Sequence, residues 1–140
     1  MTVSIDPASA ALIDQFGTSA YRDLTSGVDV LLPAYAEGRQ LAGADDVNVI
    51  ISRLLDTYPE VALTLGSKGA FWSSRQGGPI SAPPAQTVGP VVDTVGAGDA
   101  FVAGWLAAGA AGGGPEGQLL AGCGAGARAV TTPGAWPARG

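Results

Sequence analysis

Histidine is absent from this 140-residue sequence, and cysteine occurs once, as Cys123. A lone thiol cannot build an internal disulfide framework. Without an imidazole, zinc sites and Ser-His or Cys-His nucleophilic catalysis are excluded. Proton transfer must fall to carboxylates, Lys, Tyr or the single thiol. Charge is scarce too: 14% of residues are charged, the net charge is −5, and Lys and Arg do not cluster. That speaks against a nucleic acid or an anionic membrane as partner. Long apolar runs are missing. Ala100–Pro115, uncharged throughout, ends in glycines and falls short of the roughly 18 residues read as a spanning helix. Met1–Pro7 has neither the basic start nor the apolar stretch of a secretory leader, so the expected location is the cytoplasm.

What is present is a core-forming composition. Of the residues, 46% are apolar or aromatic, and the length suits one domain or part of a larger one. Residues 3–5 read as the end of a strand, followed at once by Asp6-Pro7, a pattern that predicts a fold continuing upstream. Ser9 is a candidate N-cap for a helix over Ala10–Phe16, with Gly17 as its stop. The apolar run 28–33 reads as a buried strand of a parallel sheet. A short helix over Ala34–Leu41 ends at Gly43. Asp45 or Asp46 then caps the most clearly amphipathic helix, with Val47, Ile50, Ile51, Leu54, Leu55 and Tyr58 on one face. Residues 61–65 are the next buried strand, 66–69 a turn, and 70–74 a returning strand. The stretch 76–90 reads as a hinge or hairpin loop with a short strand at Ile80–Ala82. Helices follow over Ala97–Ala111 and Glu116–Val130. This alternation predicts an α/β fold with a largely parallel sheet.

The chemistry concentrates in residues 91–105, VVDTVGAGDAFVAGW, where a carboxylate opens a strongly apolar helix. A helix N-terminus presents free N–H groups and the positive end of the dipole. Gly96, Ala97 and Gly98 have minimal side chains, so a phosphate can approach the backbone there. Asp99 falls in the first turn beside that anion site. A carboxylate next to amides suits phosphoryl transfer to an alcohol: it takes the proton while the amides hold the charge. A first-turn Asp also has a plain dipole explanation, and Gly-Ala-Gly also permits close packing. The pattern is neither a dinucleotide fingerprint, whose third glycine would fall at Phe101, nor a P-loop.

The full run Asp93–Gly104, DTVGAGDAFVAG, closely resembles the signature D-T-x-G-A-G-D-x-F-x-x-G of the ribokinase-like (PfkB-type) carbohydrate kinases. Supporting segments stand in the family's order. SIDPAS (4–9) is similar to the segment after a core strand, and GVDVLLPAYAEGRQLAG (27–43) to the strand ending in P-N-x-x-E. ALTLGSKGAFW (62–72) is similar to the T-L-G-x-x-G turn, and GARAVTTPGAW (126–136) to the adenine-side helix and loop. The resemblance implies a ribokinase-like, Rossmann-type three-layer αβα fold with a mostly parallel sheet. Residues 1–140 would be its C-terminal half, the ATP-binding and catalytic part.

The resemblance also implies roles. Asp99 is the base that deprotonates the acceptor hydroxyl, and Gly96, Ala97 and Gly98 form the anion hole. Thr64, Gly66, Ser67 and Gly69 belong to the turn that meets the ATP phosphates and ribose. Cys123, Gly134 and Ala135 lie near the adenine. Asp93 and the carbonyl of Val95 fall on a monovalent-cation (K+) site found in many members. Glu37 helps to place hydrated Mg2+. Taken without the resemblance, Glu37 reads as a solvated helix residue, Cys123 as a small buried one, 66–69 as an ordinary tight turn, and Asp93 as a helix cap. One departure stands out: the Asn of N-x-x-E is Ala34 here.

The implied activity is transfer of the ATP γ-phosphoryl group, with Mg2+, to a hydroxyl of a sugar or nucleoside. The alternatives are an inactive fragment and a non-catalytic nucleotide-binding module. The expected partner is a small-molecule substrate, with no nucleic acid and no membrane. A chain lacking the family's N-terminal half would expose a sheet edge, so self-association or pairing with a separate N-terminal half is expected.

Overall fold

The computed structural model describes residues 1–134. They form two compact units. The first comprises 1–66 and 71–79, the second 67–70 and the chain from Ile80 onward.

The first unit begins with β1 (Ser4–Ile5) and α1 (Ala10–Phe16). Ser9 caps α1 by accepting from the Ala11 N–H, and Gly17 stops it with φ 84°. A helix absent from the sequence reading, α2 (Thr18–Thr25), follows immediately. Its polar sequence carries only a narrow packing face, made by Tyr21 and Thr25, and the stop at Gly17 hides its start. The run 28–33 is buried as expected from Val30 to Pro33, yet only Val30–Leu31 pair as β2. Next come α3 (Tyr35–Ala42), closed by left-handed Gly43, and α4 (Val47–Leu55). Asp46, not Asp45, caps α4, accepting from the N–H groups of Asn48 and Val49, while Asp45 pairs with Arg39 at the surface.

Strands β3 (Glu60–Thr64) and β4 (Ala70–Ser74) complete this unit's strand order β1-β2-β3-β4. The first pairs are parallel: Ser4 with Val30, Ile5 with Leu31, Val30 with Glu60 and Leu31 with Val61. The Arg75 N–H donates to the Pro59 carbonyl, tying the end of β4 to the start of β3 as a hairpin requires. The sheet is therefore mixed and mostly parallel. The core joins Ile13, Leu31, Leu41, Ile50, Ile51, Leu54, Tyr58, Val61 and Leu63, all buried. The α4 stripe read from the sequence supplies its centre. Gly38 lets α3 close on this core, because a Cβ there would stand 2.7 Å from Leu63 Cδ1. Arg22 of α2 fastens the helices, donating to Thr57 Oγ1 and to the carbonyls of Leu41 and Arg53.

The second unit contains β5 (Ile80–Ala82), α5 (Ala97–Ala110) and α6 (Pro115–Ala129). The two helices meet through small residues. A Cβ on Gly104 would lie 2.7 Å from the Ala121 carbonyl, and one on Gly126 would lie 3.3 Å from that of Ala97. Phe101, Trp105 and Leu119 are buried. Gly69, at φ 93°, has no room for a side chain, since its Cβ would overlap the Ala82 carbonyl.

Candidate active site

The segment before α5 has no regular structure, and Val91, Val92 and Val95 are exposed. Two main-chain bonds fix it: the N–H groups of Val92 and Asp93 donate to the Val130 carbonyl at 2.8 and 3.3 Å. The chain then turns through left-handed Gly96, φ 79° and ψ 0°, which is the N-cap of α5. Glycine reaches that conformation without the Cβ penalty. Asp93 is therefore not the helix cap. Its Oδ1 accepts from the Val95 N–H at 2.9 Å, and its Oδ2 accepts from the Gly134 N–H at 3.0 Å. These donors, Val95 first, hold its carboxyl below the usual carboxylate range.

At the mouth of α5 the Ala97 N–H donates back to Thr94, and the Ala100 N–H to Gly96. Among the described residues, the N–H groups of Gly98 and Asp99 have no partner. None of the described residues stands within 4 Å of a Cβ built on Gly98. Asp99 stands in the same turn and is exposed, so the charge at the head of this apolar helix is not buried. Bare donors, an open approach and a free carboxylate therefore share one helical turn. Such a turn can hold an anion and accept a proton beside it.

Other residues singled out from the sequence lie elsewhere. In the second unit, Ser67 is exposed within the 3-10 turn Gly66–Lys68, and Gly69 is buried against the end of β5. Cys123 is half-buried on α6, and burial pushes its thiol pKa up. Gly134, φ 77°, follows α6, while Ala135 lies outside the described residues. In the first unit, Thr64 ends β3 and bridges in parallel to Ala34, and Gly66 is exposed with φ 59°. Glu37 is not the solvated residue its type suggests. It is only 7% exposed, and one carboxylate oxygen accepts from the Ala34 N–H at 2.8 Å. Burial, with a smaller contribution from the Asp6 charge, pushes its pKa up against the pull of that bond. The Asp93–Gly134 link was not legible beforehand: it joins residues 41 apart, and no local pattern announces it.

The model of the pfkB family carbohydrate kinases matches residues 5–138. Nothing among curated proteins matches the sequence. Among solved structures, adenosine kinase from Sinorhizobium meliloti matches 99% of this chain and 42% of its own, at TM-score 0.89 and 21% identity. A structure from E. coli, named as a Ribokinase II in complex with ATP and Mg2+, matches 96% and 44%, at TM-score 0.83 and 25% identity. Arabidopsis thaliana ribokinase, complexed with ribose and ATP, matches 81% and 38%, at TM-score 0.73 and 28% identity. The chain thus spans less than half the length of these structures, and over that span its fold is that of the ribokinase-like kinases.

Proposed function

The chain belongs to the pfkB family of carbohydrate kinases, and on that premise we propose that it forms the ATP-binding and proton-accepting part of a sugar or nucleoside kinase. The observation that carries this reading is the mouth of α5. The N–H groups of Gly98 and Asp99, unpartnered among the described residues, and the open face of Gly98 suit a transferring phosphoryl group, and the exposed Asp99 carboxylate is free to act as base. The acceptor hydroxyl oxygen attacks the γ-phosphorus while the bond to the β,γ-bridging oxygen breaks. ADP leaves with the electron pair, and the hydroxyl proton passes to Asp99. The Gly96 turn aims the amides, so charge developing on the phosphoryl oxygens meets donors already in place.

The donor chemistry suits the family's ions. Asp93 keeps lone pairs beyond its two N–H bonds, and the Val95 carbonyl has no partner among the described residues. Both are hard oxygen donors of the kind a monovalent cation such as K+ takes. Glu37 keeps one carboxylate oxygen beyond the Ala34 N–H, enough to orient a hydrated Mg2+. Ala34 contributes only its backbone, where the family pattern N-x-x-E that this segment resembles has an amide side chain. When bound, Mg2+ would neutralise phosphate charge. The resemblance further assigns Thr64, Gly66, Ser67 and Gly69 to the ATP phosphates and ribose, and Cys123 and Gly134 to the adenine. Two relatives, an adenosine kinase and a ribokinase holding ribose and ATP, support a sugar or nucleoside as the acceptor.

Asp99→Asn tests the base. With ribose and adenosine as trial acceptors, acceptor-dependent ADP release should fall by about 100-fold or more while ATP binding persists. Equal turnover in the two proteins would overturn the assignment.

A further inference from the structure

Two stretches of the second unit far apart in sequence meet at the candidate site: 92–95, which leads into α5, and 130–134, which leaves α6. They are joined in two ways. One is main chain to main chain, through the Val130 carbonyl and the N–H groups of Val92 and Asp93. The other depends on a single side chain. Asp93 takes the Val95 N–H on one oxygen and the Gly134 N–H on the other. An ionised carboxylate accepting two amides makes stronger bonds than a neutral acceptor would. Val95 immediately precedes the Gly96 corner that aims the free amides of Gly98 and Asp99. Gly134 has φ 77°, a conformation that glycine reaches without a Cβ penalty.

We infer that Asp93 is a positioning residue: its carboxylate locks the turn after α6 to the mouth of α5, so that the two halves of the nucleotide site are set as one piece. The inference rests on the kinase reading for its functional consequence but not for the brace itself. Both donors of the brace are main-chain groups of this chain. The brace also explains why this position calls for a carboxylate: an amide side chain offers only one oxygen to two N–H donors.

Amide hydrogen exchange on the full chain by NMR tests it. In the unaltered protein the Val95 and Gly134 N–H groups should be slow. In Asp93→Ala both should exchange at least about tenfold faster, while Val92, held by the Val130 carbonyl, stays slow. Asp93→Asn should release one of the two and keep the other. A Gly134 amide that is fast in the unaltered chain, or indifferent to both substitutions, overturns the brace. Calorimetry with MgATP reads the consequence. Affinity should fall about tenfold or more in Asp93→Ala and less in Asp93→Asn, with the melting temperature little changed. Unchanged affinity in Asp93→Ala overturns the positioning role. An unaltered chain with both amides slow that takes up no ATP removes the kinase reading and supports the brace by exchange alone.

Discussion

Gly122 of α6 faces Phe101 of α5 so closely that a Cβ on the glycine would stand 2.7 Å from the ring and 3.0 Å from the Phe101 carbonyl oxygen. The ring is buried, and the oxygen is part of a helix, so neither can step aside cheaply. The absence of a side chain at 122 thus sets how near the two helices come.

Gly122→Ala should therefore destabilise the chain by about 1–3 kcal/mol, the usual range for overpacking. Helix propensity alone predicts the opposite sign, a gain of about 0.5–1 kcal/mol. Denaturant titration of the two proteins decides between them: a higher midpoint for the alanine variant would refute the close contact.

Gly98→Ala should behave differently although it lies on the same pair of helices. Its Cβ meets nothing among the described residues, so the melting temperature should hold or rise slightly. The methyl would occupy the approach to the free amides, so MgATP affinity should drop about tenfold or more. Retained affinity would mean that the phosphates lie elsewhere.

Glu37→Gln should raise the melting temperature at pH 7. Burial lifts the Glu37 pKa above its ordinary 4.5, so ionised Glu37 weakens the folded state at neutral pH. That cost eases as pH falls through the raised value and vanishes once the unfolded chain is also protonated. The glutamine keeps an oxygen for the Ala34 N–H and carries no charge. Its advantage should shrink with falling pH and disappear below the ordinary value. Melting curves from pH 7 down to pH 4 check this, and a gap that widens on acidification would contradict it.

Local chemistry made much of the fold readable. Ser9, Gly17 and Gly43 mark helix ends because capping needs only a short oxygen-bearing side chain or a left-handed residue. The spacing of Ile50, Ile51 and Leu54 identified the helix at the core for the same reason: the evidence lies within one window of sequence. α2 escaped because polar residues surround its two packing positions. The strand at 28–33 was overextended because burial, which the apolar run reports, outlasts pairing, which it does not. At the site, the run from Asp93 to Asp99 was legible as a turn of small residues opening a helix. The burial of Glu37 and the bond from Gly134 to Asp93 depend on what folding brings alongside, and glutamate and glycine carry no mark of that.

The chain passes between its two compact units after Gly66, after Ala70 and again after Pro79. Residues 67–70 thus belong to the second unit while embedded in the sequence of the first. A single break, whether by a protease or by gene division at Pro79, cannot yield two self-sufficient pieces: the shorter fragment would lack the tetrapeptide whose Gly69 nests against Ala82. The two units alternate along the sequence, so no single cut of the chain separates one from the other.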